Sequence, residues 1–247
     1  MKLEELLQAM VDANASDIFV IAGLPLTYQS GSQQIRSTDQ ALMPADTEVI
    51  VREIYNIAHR SIEPFLMSHN HDDDFSFAIA GVGRFRVNVF RQRGSFGAVI
   101  RVIPFTLPSP DDYNIPDTVM RCADYQKGLV LVTGPAGAGK STTLACIIDQ
   151  LNQTRSGHII TMEDPIEYVH RHGKSIVTQR EIPTDVATYD EALRSAMRES
   201  PDIILLGEMR DQDTISTAVT AAEMAQLLFS TLHTTGAANT VDRIIDA

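Results

Sequence analysis

Lys140 stands in GPAGAGKS, residues 134–141, which fits the pattern GxxxxGK[ST]. Glycines let a chain curl until several backbone N–H groups face one anion. A lysine at this position supplies a point charge for β- and γ-phosphates, and the serine after it offers a hydroxyl to Mg²⁺. The candidate phosphate-binding set is Gly134, Ala136, Gly137, Ala138, Gly139, Lys140, Ser141 and Thr142, with Ser141 as a Mg²⁺ ligand. A glycine-rich turn that happens to contain lysine would look similar. The context favours phosphate: the apolar run GLVLVT precedes the loop and a helical pattern follows it. The helix would add its positive N-terminal end.

A phosphate loop needs acids to organise metal and water. In PDIILLGEMRD a strand pattern ends at glycine, and Glu208 follows. The C-terminal ends of parallel strands face the ligand crevice, so Glu208 is a candidate to polarise water. A surface glutamate after a strand is the plainer alternative. IITMEDPIEYVH repeats the arrangement, with Glu163 and Asp164 at the strand end and Glu167 three residues further on. Glu163 is a candidate catalytic acid and Asp164 a possible Mg²⁺ ligand; Asp164 could equally cap a short helix after Pro165. In STLHTT, His233 ends an apolar strand and could sense a γ-phosphate, although a lone histidine is commonly structural.

The elements that would position these residues are an α/β set. GLVLVTG, HIITME, IILLG and LLFSTL read as buried parallel strands, with helices at residues 140–152, 189–199 and 211–225 between them. Residues 1–103 read differently. A helical face runs through Leu3, Leu6, Leu7, Met10 and Val11, and a strand follows at SDIFVIAG. Two short strands then flank a Ser-Gly turn, a helix at residues 45–59 is capped by Asp46 or Thr47, and an antiparallel meander closes the region. Residues 104–117 hold four prolines and no apolar period, as an extended linker would. The sequence stops in mid-pattern at NTVDRIIDA, where a helix is expected to start, so this α/β region is expected to be C-terminally truncated.

Composition narrows the field. The 247 residues are 44% apolar and 21% charged, ordinary for a globular chain. A net charge of -12 argues against a nucleic-acid partner held by the overall field. Cys122 and Cys146 are the two cysteines, too few for a zinc site. No apolar run nears the ~20 residues that span a bilayer, and MKLEELLQAM is too acidic for a signal peptide. A cytoplasmic protein is expected, one that could still dock on a membrane-bound partner.

Four segments in order carry a resemblance: GPAGAGKST, TMEDPIEYVH, SPDIILLGEMRD and TAAEMAQLLFSTLHTT. Together they resemble the secretion and type IV pilus ATPase superfamily, most of all its pilus retraction (twitching motility), PilT-like branch. LLQAMVDANASDIFV and DFSFAIAGVGRFRVNVFRQRG are similar to that branch's first domain. The resemblance implies a PAS-like domain at residues 1–103 and a RecA-like ATPase domain at residues 118–247. It implies a homo-hexamer that hydrolyses ATP with Mg²⁺, uses Glu208 and Glu163 for hydrolysis, and reads the nucleotide through His233. It also implies an inner-membrane pilus platform protein as partner, a possible paralogous ATPase, and a place at the inner face of the cytoplasmic membrane.

Arg84, Arg86 and Arg101 match arginine positions of the first domain and are candidate phosphate sensors. Arg84 and Arg86 would share a strand face, as a solvated pair would too. Arg194 and Arg198, at i and i+4, would share a helix face, either toward a neighbouring nucleotide or as an exposed basic surface. The chain departs from the family at Ala225 and Gln226, where Gly-His is usual, and at Phe19, where histidine is common. An assembly or secretion ATPase, or a poorly hydrolysing regulator of a paralogue, are the alternatives. The absence of a tetracysteine zinc insert favours retraction.

Overall fold

A computed structural model describes residues 3–103, 106–224 and 226–246. The chain divides into two compact units, residues 1–105 and 106–247.

The first unit is an α+β structure. Helix α1 (Leu3–Asp12) buries Leu3, Leu6, Leu7 and Met10, the positions of one helical face. Strands β1 (Asp17–Ile21), β2 (Pro25–Ser30) and β3 (Gln33–Ala41) follow, then α2 (Pro44–Ile57) and the short α3 (Glu63–Met67). A meander of β4 (Asp72–Ile79), β5 (Gly83–Gln92) and β6 (Ser95–Ile103) completes one six-stranded sheet, order β3-β2-β1-β6-β5-β4, with antiparallel neighbours. Phe85, Val87 and Val89 alternate into the core with Val51, Ile54 and Tyr55 of α2. The cap of α2 differs from expectation. Met43 is the residue before the first turn, and Asp46, inside that turn, accepts from the Met43 N–H at 2.7 Å. Pro44 at the first helical position fixes the start earlier than Asp46 or Thr47 would.

The second unit begins with residues 106–116, where Cys146 Sγ meets the Pro108 carbonyl and Ile115 packs on the core. Pro104 and Phe105 lie outside the described residues. After α4 (Asp117–Met120), five parallel strands alternate with helices: β7 (Gly128–Thr133), α5 (Lys140–Thr154), β8 (His158–Glu163), β9 (Ile176–Glu181), α6 (Tyr189–Ala196), β10 (Ile203–Leu206), α7 (Gln212–Glu223), β11 (Leu227–Leu232) and α8 (Ala237–Ile245). The sheet order is β7-β11-β10-β8-β9. Every residue of β10 and β11 is buried, between a core built on α5 and a second built on α6 and α7.

Three expectations need correction here. Strand β9 is absent from the sequence reading. Helix α6 stops at Ala196, and Ser200, with φ 53°, and Pro201 follow, so Arg198 lies past the helix instead of on its face. Helix α7 ends at Glu223, and Ala225 lies outside the described residues. Among the described residues, no helix is long and apolar enough to cross a membrane.

Candidate nucleotide site

The phosphate loop leaves β7 at Gly134, whose N–H donates to the Leu232 carbonyl of β11 at 3.3 Å. Gly137 and Gly139 have φ of 76° and 85°, the left-handed region that costs other residues strain. Gly139 is the residue before α5, so the left-handed turn directs the helix N-terminus back at the loop. Lys140 Nζ donates to the Gly134 and Pro135 carbonyls, 3.0 Å each. Ala136, Gly137, Lys140 and Ser141 line one wall of a cleft of about 300 Å³. Gly134, Ala138 and Gly139 build the turn behind that wall. The Thr142 hydroxyl lies 3.1 Å from the Tyr168 hydroxyl.

The opposite wall comes from strand register. Leu206 of β10 pairs with Met162 of β8 and with Ser230 of β11. Gly207, Glu163 and Thr231 therefore reach the same level at the sheet edge. Glu163, Asp164, Glu167, Glu208 and His233 all line the cleft. Glu208 accepts from Arg210 Nε at 2.8 Å, and His233 Nε2 is 3.4 Å from its other oxygen. Arg210 also reaches Asp164 at 3.6 Å. No helix follows Pro165, so Asp164 caps none.

Glu163 is the chemically unusual acid. Thr161 Oγ1 donates to its Oε1 at 2.6 Å, and Gln179 Nε2 donates to the same oxygen at 3.2 Å. Burial raises its pKa to about 7, against which these two hydrogen bonds pull less strongly. A carboxyl that exchanges its proton near neutrality suits acid–base work on water. The donor set also fits a Mg·nucleotide. An ammonium and a helix N-terminus face the phosphate side, with a hydroxyl and carboxylates on the metal side. Among the described residues, no group of three His, Cys, Asp or Glu could hold a metal alone. Mg²⁺ characteristically takes few carboxylates and draws its remaining ligands from phosphates and water.

Three cleft residues were not singled out from sequence: Tyr189, Arg210 and Thr231. Tyr189 opens α6, is buried, and has its hydroxyl pKa raised, first by burial and then by Asp164, so it stays a donor. Thr231 Oγ1 donates to the Gly207 carbonyl at 2.6 Å, tying β11 to the turn that carries Glu208. Arg210 sits inside the quoted GEMRD, so its motif was visible while its role as a bridge between two acids was not.

Three of the candidate arginines pair with nearby carboxylates. In the first unit, Arg84 and Arg86 share a face of β5, Arg86 Nε donates to Asp74 at 3.0 Å, and Arg101 pairs with Asp17 at 3.1 Å across neighbouring strands. In the second, Arg194 pairs with Asp190 one helical turn earlier at 2.8 Å, and both Arg194 and Arg198 are exposed, away from the cleft lining.

Known proteins resemble this chain in sequence and fold. The family model of type II/IV secretion system proteins matches residues 105–246. The type IV pilus retraction ATPase PilT of Pseudomonas aeruginosa is 46% identical over all of this chain, which spans 70% of that protein. A twitching motility protein of Neisseria gonorrhoeae is 51% identical over 73% of this chain and 48% of its own length. The crystal structure of the pilus retraction motor PilT with bound ADP superposes with a TM-score of 0.87 at 45% identity, covering 100% of this chain and 71% of that one.

Proposed function

Because this chain belongs to the type II/IV secretion system protein family, we propose that it is the nucleotide-hydrolysing part of a type IV pilus retraction motor. One observation carries the reading. Lys140 and Ser141 from the phosphate loop face Glu163, Glu208 and His233 from three other strand ends across a single cleft. Lys140 and the N–H groups of residues 134–142 hold the phosphates of ATP. Ser141, with Asp164 nearby, is placed for Mg²⁺, which when bound neutralises phosphate charge. Glu208 orients the attacking water, Glu163 handles its proton, and His233 couples the γ-phosphate position to Glu208 through their 3.4 Å contact. The likeness to PilT along the whole chain supports retraction over assembly or secretion.

In this reading the working unit is a homo-hexamer against an inner-membrane platform protein, at the inner face of the cytoplasmic membrane, with a paralogous ATPase as a further partner. Arg84, Arg86, Arg101, Arg194 and Arg198 are the residues to test for contact with nucleotide. Arg86, Arg101 and Arg194 are held in partly exposed ion pairs with Asp74, Asp17 and Asp190. Such pairs are worth about 1 kcal/mol or less each, so exchange for a phosphate costs little.

Steady-state ATP turnover tests the proposal. Mg²⁺-dependent turnover is expected in the wild type and its loss in Lys140→Ala. Equal turnover in the two would refute it.

A further inference from the structure

Gln179 lies on β9 and does not itself line the cleft, yet its side-chain amide is committed in three directions. Its Oε1 accepts from the His170 backbone N–H at 2.7 Å. Its Nε2 donates to Glu163 Oε1 at 3.2 Å and to the Tyr168 carbonyl at 2.9 Å. The His170 N–H, which can only donate, fixes which end of the amide is oxygen. The β8–β9 register places Gln179 opposite Thr161, so donors from two adjacent strands grip one carboxylate oxygen. The loop held through Tyr168 then touches the phosphate-loop helix, where the Tyr168 and Thr142 hydroxyls are 3.1 Å apart. Thr142 is next to Ser141, so a short chain of polar contacts links both walls of the cleft.

We propose that Gln179 is a positioning residue for hydrolysis, holding Glu163 toward the cleft and keeping loop 164–170 in register with the phosphate-loop helix. This rests on the ATPase reading above, with Glu163 as an acid of hydrolysis. A glutamine is suited to the task. It gives two donors and an acceptor without charge, so it orients the carboxylate without forming an ion pair with it. A substitution that keeps the acceptor and removes the donors isolates the orienting function.

Gln179→Glu does this, since its carboxylate still accepts from the His170 N–H. Because it also sets a second carboxylate about 3.2 Å from Glu163, the uncharged Gln179→Met is measured beside it and must show the same fall in kcat. A fall in Gln179→Glu alone is charge repulsion and overturns the proposal. Expected is a fall in kcat of about tenfold with KM for ATP within about twofold, as when an interaction felt mainly in the transition state is lost. In a Glu163→Gln background the same substitution should lower kcat no further, because Gln179 acts through Glu163. A purely structural role would lower kcat in both backgrounds alike, and that result overturns the proposal. Turnover lost in Glu163→Gln but intact in Gln179→Glu overturns this proposal alone. Turnover unaffected by Glu163→Gln overturns the site reading and this proposal with it. Should Gln179→Glu fail to fold by circular dichroism, Gln179→Met, of similar length and uncharged, takes its place in the same cycle. If both unfold, the residue serves stability and the proposal fails.

Discussion

His170 should make the stability of the second unit depend on pH in a way that a single substitution reveals. The ring is 7% exposed, its Nδ1 has no hydrogen-bond partner, and burial lowers its pKa from 6.5 to about 4, with Asp149 opposing weakly. The unfolded chain therefore binds a proton that the folded chain refuses, and stability is lost as pH falls from 6.5 toward 4. At about 1.4 kcal/mol per pH unit the full interval is worth about 3 kcal/mol, and about 2 kcal/mol of it falls between pH 7 and pH 5. Glu163 has the opposite sign. Its pKa is raised from 4.5 to about 7, so its contribution is present below 4.5 and is lost as pH rises through 7. Between pH 7 and pH 5 it returns about 2 kcal/mol on acidification. The two nearly cancel in the wild type. Urea unfolding followed by circular dichroism at both pH values should therefore show His170→Phe gaining about 2 kcal/mol on acidification relative to wild type. Glu163→Gln should lose about as much. Parallel pH dependence in wild type and His170→Phe would refute the reasoning.

Other perturbations follow from the same geometry. Lys140→Ala removes a charge-assisted donor and should weaken Mg·ATP binding roughly tenfold to a hundredfold, measured by calorimetric titration. Glu208→Gln should lower turnover at least ~100-fold while leaving bound ATP detectable after incubation with Mg²⁺. At Gly207 an added Cβ would lie 2.9 Å from Tyr189 Oη and 3.1 Å from the Met162 carbonyl, so Gly207→Ala should destabilise by about 1–3 kcal/mol in urea unfolding. Adding Tyr189→Phe removes the nearer of those atoms and should recover part of that loss.

What was legible in the sequence follows from local constraint. A phosphate loop is written in glycines, because φ values such as those of Gly137 and Gly139 exclude most side chains, so spacing alone exposes it. Buried parallel strands such as IILL and LLFSTL are apolar throughout and stand out equally well. Strand β9 does not. As the outer strand of the sheet, it carries IVTQRE, where polar residues outnumber apolar ones and no alternation of a half-buried face is sustained. Tyr189 and Gln179 were illegible for a related reason. Each reaches the site through the pairing of strands and the docking of a helix, and neither sits in a motif whose spacing a single sequence displays.

The illegible part has its own physical logic. A carboxyl that works on water must be buried enough for its proton to exchange near neutrality, yet held firmly enough to keep its aim. Burial raises Glu163, and the donors Thr161 and Gln179 lower it while fixing its orientation, so the value of about 7 is a balance between the two. Strand ends alone cannot supply that balance, because their outward groups face solvent. An additional strand beside β8 can, since it brings a neutral donor to the carboxylate. The phosphate-loop and acidic motifs therefore mark the candidate site, while the setting of Glu163 depends on a neighbouring strand with no motif of its own.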